Sequence, residues 1–278
     1  MSFGAQEPKL LIIHADDAGL SNSQNRAIIE SLKNGLVNSY SIMTPCPCFD
    51  EIGDFAKSNP QYDYGIHLTL TCEWESYKFG PVSPIESVKS LVNEDGYFYK
   101  TRNELKAFAD IKEIKKELNA QIQKAFDYGL NPTHIDSHMY SVGINTECFN
   151  LYKELEKVYK IPILINDELL KMVGLDPKRN IKENDFVIEN MCLGNYSQFS
   201  NDKLKSYYLD FIQNITGGLS IILIHPAYDD NEMKSITINH PNFGSKWRQI
   251  DFDVFNDKRM ISEIKKNEIQ LISWRDLY

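Results

Sequence analysis

No run of about 18 or more apolar residues, the length a membrane-crossing helix needs, occurs in this 278-residue chain. No transmembrane segment and no membrane partner are therefore expected. The N-terminus lacks a basic stretch followed by a long apolar one, so a signal peptide is not expected and a cytoplasmic protein fits best. Basic tracts are missing too. Lys and Arg total 30 against 39 Asp and Glu, a formal charge of −9, which argues against a nucleic-acid partner. Lys112, Lys115 and Lys116 alternate with Glu113 and Glu117 and read as a solvated helix face. Cysteine is scarce and odd in number: Cys46, Cys48, Cys72, Cys148 and Cys192. Only Cys46-Pro-Cys48 is closely spaced, and one intervening residue suits neither a zinc knuckle nor a redox pair. Buried free thiols in a reducing compartment are the expectation. There is no internal repeat, low-complexity linker or composition break, so residues 1–278 are expected to form a single domain.

What is present is an alternation of strand-like and helix-like segments to the end of the chain, the pattern of an α/β fold. Leu10 to Ile13 reads as a strand covered on both faces. Ala18-Gly19 breaks it, and Ser21-Asn22 caps a helix carrying Ala27, Ile28, Ile29 and Leu32. Further strands are expected at 38–43, 64–70, 132–136, 162–165, 186–188, 219–224 and 269–272. Helices are expected near 49–57, 103–128, 147–159, 202–213 and 254–266. The 103–128 helix is the clearest, with Ile111, Ile114, Leu118, Ile122 and Ala125 at three- and four-residue steps. Residues 72–100 and 226–250 read as long loops, the first rich in aromatics. About seven β/α units without a glycine-rich dinucleotide fingerprint favour a (β/α) barrel over a doubly wound nucleotide-binding sheet.

The chemistry-bearing residues gather at predicted strand ends, where parallel α/β folds place their sites. Asp16 and Asp17 end the first strand. In extended backbone, neighbouring side chains point apart, so one carboxylate is expected to hold a metal while the other faces substrate or water. His67 lies on the third strand, His134 and His138 flank the fourth, and His225 follows the most apolar strand. One histidine in an apolar strand is ordinarily a hydrogen-bonded core residue. Four of them on strands that also carry Asp16, Asp17 and Asp136 fit a divalent metal site with open positions for water. In His134-Ile-Asp-Ser-His138 the alternate residues share a face, so the two imidazoles are expected to converge, either as two ligands or with one supporting the other. Pro226 stops the strand after His225 and fixes where that imidazole points, as suits a general acid. His240, without strand context, reads as a loop histidine.

Ala15-Asp-Asp-Ala-Gly-Leu20, Gly65-Ile-His-Leu-Thr-Leu70, Pro132-Thr-His-Ile-Asp-Ser-His138 and Ile224-His-Pro-Ala-Tyr228 resemble, in that order, the motifs of the YdjC-like carbohydrate deacetylases. That family includes chitooligosaccharide (chitin disaccharide) deacetylases. The resemblance spans residues 10–228 and extends to the C-terminal strand. It implies a (β/α) barrel of the polysaccharide deacetylase type and one divalent ion, Mg²⁺ or Zn²⁺, held by Asp17, His67 and His138. It also implies Asp16 as general base and His225 as general acid. His134, Asp136, Tyr228 and Trp74 would serve substrate or support the ligands. The chain departs from the family pattern at Ala18, where phenylalanine is usual. It departs again at Met139-Tyr-Ser-Val142, where the family carries more histidines.

The implied reaction is hydrolysis of the acetyl group of an N-acetylated amino sugar or short chitooligosaccharide, with a homodimer admitted as the assembly. Trp74, Tyr77, Phe79, Tyr97, Phe98 and Tyr99 offer rings for sugar stacking or for packing the loop on the barrel. Three other classes use similar residues. Two histidines and a carboxylate also make the facial triad of non-haem iron oxygenases, usually on all-β frames. Paired carboxylates cleave glycosidic bonds, but adjacent Asp16 and Asp17 cannot flank a sugar without a distant partner such as Asp136. A sugar-binding module without catalysis would have no need of the full acid, base and ligand set.

Overall fold

The first strand, β1 (Lys9–Ala18), is buried from Leu11 onward on both faces, which is why its sequence is a continuous apolar run rather than an alternating one. A computed structural model describes residues 7–277. Around β1 lie β2 (Ser39–Ile42), β3 (Asp63–Leu68), β4 (Ile135–Ser137), β5 (Asn190–Leu193), β6 (Gly218–Ile224) and β7 (Ile269–Leu271). The order is β4-β3-β2-β1-β6-β5, with β7 pairing the start of β1, and the pairs are all parallel. Helices cover the outer face, as parallel sheets require. Each fully buried Leu, Ile or Phe contributes roughly 1.5–3 kcal/mol, and one contiguous apolar core spans the sheet and its helices.

The gap between β4 and β5 is spanned by irregular chain. Ile135 N–H donates to Pro162 O and Leu164 N–H to Ile135 O, and Ile188 N–H donates to Ile165 O. The expected strand at 162–165 is thus a single bridge, Ile135 to Ile163, standing where a barrel strand would stand. The expected 186–188 strand begins instead at Asn190. The architecture is a (β/α) barrel whose sheet stops short of continuous closure.

Two long helices are interrupted. The expected 103–128 helix is Arg102–Phe108 followed by Ile111–Asp127, because the Asp110 side chain caps the second by accepting from Lys112 N–H. The expected 254–266 helix is Ser245–Asn256 followed by Lys258–Lys266, with Asp257 as the cap between them. Residues 226–250 are accordingly not a plain loop. They hold the helix Asn231–Ile236 and the first turn and more of Ser245–Asn256. Residues 72–100 are irregular, as expected, with two short 3₁₀ turns.

Candidate active site

At the end of β1 the register with β2 slips. Ala15 pairs Tyr40 and Ala18 pairs Ile42, so three steps on β1 oppose two on β2. The extra residue makes a β-bulge, and Asp17 takes a positive φ of 66°. Bulges re-aim side chains, and here both Asp16 and Asp17 line one cavity. The two carboxylates leave plain extended backbone at this bulge and still face different partners, Asp17 the His67 side and Asp16 the His225 side. Gly19, at φ 96°, completes the turn, a conformation that only glycine adopts without strain.

His67, on β3, pairs in register with Asp136 on β4. Its Nδ1 lies 2.7 Å from Asp136 Oδ1 and 3.0 Å from Ser41 Oγ. The other nitrogen, Nε2, faces Asp17 Oδ1 at 3.3 Å. Asp136 also reaches His14 Nε2 with Oδ2 at 2.8 Å, so one buried carboxylate bridges two imidazoles. Burial opposes the charge on His14, yet its bond to Asp136 and the Asp16 carboxylate 3.2 Å away win and raise it to about 9. His67 is raised in the same way against burial, chiefly by Asp136 and Asp16.

His138 directly follows β4, at the start of a 3₁₀ stretch in which Met139 and Tyr140 adopt positive φ. Its Nδ1 lies 3.0 Å from Asp17 Oδ1, and its Nε2 lies 2.9 Å from Glu73 Oε2. Burial opposes protonation here too, but Glu73 and Asp17 raise the group to about 9. Burial alone would lift the Glu73 carboxyl, and His138 brings it below its usual value instead.

Asp17 Oδ1 therefore faces both histidines, while Oδ2 accepts from the buried Arg248 Nη2 at 2.8 Å. Asp17 is held well below the usual carboxylate range by His138 and Arg248, despite complete burial. Asp16 is differently placed. Its Oδ2 stands 3.6 Å from His225 Nε2, and its Oδ1, buried, has no hydrogen-bond partner. His14 Nε2 is 3.2 Å from Oδ1 but is engaged by Asp136. His225 packs on Phe243, ring centroids 4.7 Å apart. Burial pushes it down to about 4, so it is neutral near pH 7. Its backbone N–H donates to Asp251 Oδ2 at 2.9 Å, and Tyr208 Oη donates to Asp251 Oδ1 at 2.7 Å.

Asp16, Asp17, His67, Asp136, His138 and His225 all line this cavity. Three other expected site residues do not. His134 lies beneath it, stacked on Trp274 with centroids 4.8 Å apart and Nδ1 3.0 Å from Thr133 Oγ1. His134 does share a face with Asp136, converging with it and His14, but it is fully buried two residues before Asp136 and so lies below the cavity floor. A Cβ on Gly65 would meet His134 Nε2 at 2.4 Å, which explains the glycine there. Trp74 is fully buried, with Arg248 over its ring and His240 against its edge. Phe79 and Phe98 are buried against each other, so those loop aromatics pack rather than present faces. Tyr228 packs on Phe252 under Arg26. His240, read as a mere loop residue, does line the cavity, with Nδ1 2.8 Å from Asn242 O.

The model of the family described as YdjC-like protein matches residues 10–266. The chain belongs to the YdjC-like family. Among curated relatives, a carbohydrate deacetylase of Clostridium beijerinckii is 31% identical, the match covering 96% of this chain and 99% of that protein. One of Geobacillus stearothermophilus is 30% identical, over 98% and 99% respectively. A crystal structure of an Enterococcus faecalis V583 protein, described as a candidate cellobiose-phosphate cleavage protein, superposes with a TM-score of 0.78 at 27% identity. It covers 97% of this chain and 99% of its own.

The donor set of this YdjC-like chain suits a divalent cation. One ligand atom each from Asp17, His67 and His138 lie within 4.8 Å of one another. Nitrogen and carboxylate donors in that number match zinc and similar ions. Each imidazole has a carboxylate on its far nitrogen, the arrangement that orients metal-ligating histidines. Two other groupings also converge, Asp16-His67-Asp136 and His14-His134-Asp136. In the first, His67 and Asp136 already bond each other directly through Nδ1 and Oδ1. The second has only Asp136 on the cavity wall.

Proposed function

We propose that this YdjC-like chain, acting as one unit over residues 1–278, is a carbohydrate deacetylase. It hydrolyses the acetamide of an N-acetylated amino sugar or short chitooligosaccharide. The observation that carries the reading is the convergence of Asp17 Oδ1, His67 and His138 beside a second carboxylate, Asp16, that makes no hydrogen bond through Oδ1. The curated relatives named carbohydrate deacetylase, aligned over nearly their whole length, supply the substrate class.

Asp17, His67 and His138 would hold one divalent ion, Mg²⁺ or Zn²⁺. Such an ion supplies Lewis-acid polarisation of an amide carbonyl and lowers the pKa of water beside it. Asp16 takes the proton of the attacking water, its carboxylate holding only the longer contacts to His14 Nε2 at 3.2 Å and His225 Nε2 at 3.6 Å. His225 is neutral at rest, so the proton it delivers to the departing amine has to arrive during turnover. Asp16, 3.6 Å away, is the source. This makes His225 a general acid charged by the base, a role worth roughly 10²–10⁴-fold. Leu193 and Leu223 on the cavity wall suit the acetyl methyl, and Arg102, Asn242 and His240 offer polar groups to sugar hydroxyls.

The test is acetate release from a panel of N-acetylated mono- to tetrasaccharides, run on chelator-stripped protein and after return of Mg²⁺ or Zn²⁺. Release that depends on the ion and on an N-acetyl group is expected. Equal release by stripped protein, or cleavage of the glycosidic bond with the acetyl intact, would contradict the reading.

A further inference from the structure

Arg248 is the one fully buried arginine of the site, 1% exposed, and each of its three nitrogens donates a hydrogen bond. Nη2 donates to Asp17 Oδ2 at 2.8 Å, Nη1 to Gln24 Oε1 at 2.5 Å, and Nε to Phe243 O at 2.7 Å. Its guanidinium carbon lies 5.4 Å from the Trp74 ring centre. Gln24 in turn donates through Nε2 to the Asp16 carbonyl at 2.9 Å. Arg248 and Gln24 thus brace both residues of the bulge, whose Asp17 holds a positive φ.

This placement is unusual for a carboxylate that serves a cation. A guanidinium in contact with the ligand repels a dication brought to the same side chain, and burial makes that repulsion large. It also withholds one oxygen, since Oδ2 is committed and only Oδ1 faces His67 and His138.

We propose that Arg248 is a positioning residue that confines Asp17 to one coordinating oxygen and deliberately weakens cation binding. The return is that the carboxylate neutralises less of the cation's charge, leaving more of it to act on the substrate. The inference rests on the proposed metal site and deepens it.

The experiment measures Zn²⁺ affinity by competition with a chromophoric chelator, with kcat as a separate readout. R248Q, which keeps polar contact without charge, is expected to bind Zn²⁺ roughly tenfold or more tightly while kcat falls at least about tenfold. R248K, which keeps the charge, is expected to stay within about threefold of the parent in affinity. A merely structural arginine predicts the opposite for R248Q: a loosened Asp17, and affinity and kcat falling together. Weaker or unchanged binding by folded R248Q overturns the proposal. If R248Q does not fold, Q24E carries the test. It sets a carboxylate against the guanidinium, at the loss of the Nε2 bond to the Asp16 carbonyl, and is expected to tighten Zn²⁺ binding; unchanged or looser binding overturns the proposal. Failure of the parent protein to bind Zn²⁺ at all would instead remove the metal site itself.

Discussion

Glu73 Oε2 lies 2.9 Å from His138 Nε2, on the far side of the ring from the 3.0 Å contact between His138 Nδ1 and Asp17. The two contacts divide the imidazole's nitrogens between them. A metal on Nδ1 requires the proton on Nε2, where Glu73 accepts it. Removing such a partner commonly costs about 10–100-fold in metal affinity. E73A is therefore expected to lose affinity in that range, and E73Q, which keeps an acceptor, less. Titration with Zn²⁺ checks this; unchanged affinity in E73A would show that Glu73 does not set the ring.

The paired aspartates should separate by role. D17N is expected to lose metal and activity together, because its Oδ1 faces both histidines. D16N is expected to keep the metal and lose roughly 10²–10⁴-fold in kcat. Metal content by atomic emission beside turnover distinguishes the two. Near-full activity in D16N would assign the base elsewhere.

Metal uptake should release protons. Without a cation, His138 is raised to about 9 by Glu73 and Asp17 against its burial, so near pH 7 it must shed a proton to bind metal. Apparent affinity should rise about tenfold per pH unit for each proton shed, up to about pH 9. Calorimetry in buffers of different ionisation enthalpy counts the protons directly, and a count of zero at pH 7 would contradict this.

Asp251 makes a stability prediction. Burial pushes its carboxyl up to about 7. A raised folded-state value means the proton favours the folded protein. The contribution is fully present below the unfolded value near 4 and is lost as pH rises through about 7. D251N mimics the protonated form, accepting from His225 N–H and donating to Tyr208. It should gain on the parent by about 1.4 kcal/mol per pH unit between about pH 4 and 7 and no further above 7, so its advantage is smaller at pH 5 than at pH 8. Urea unfolding at both pH values is the check.

The barrel and the gathering of aspartates and histidines at strand ends were legible because they rest on local signals, apolar runs and the residues that end them; the particular set Asp17, His67 and His138 came only with the family resemblance. The bulge at Asp16-Asp17 was not, since it arises from pairing with β2, which a single strand's sequence does not encode. Arg248 and Asp251 were missed for a related reason. They occupy the buried face of the helix Ser245–Asn256 beside Trp247, Val254 and Phe255, so the charged residues erased the apolar periodicity and the segment read as loop. Glu73 sits in irregular chain, where no period points at anything; its only signal was a lone carboxylate soon after the His67 strand. Trp74 and Tyr228, for which substrate contact and support were both open in the sequence, pack against Arg248 and Phe252 respectively and do not reach the cavity wall.

The most direct test of the account is anomalous scattering from crystals of the protein soaked in Zn²⁺ or Mn²⁺. The account predicts one dominant peak about 2.0–2.2 Å from Asp17 Oδ1, His67 Nε2 and His138 Nδ1. Asp17 Oδ2 should remain on Arg248. A dominant peak at His14, His134 and Asp136, or none near Asp17 at millimolar metal, would contradict it.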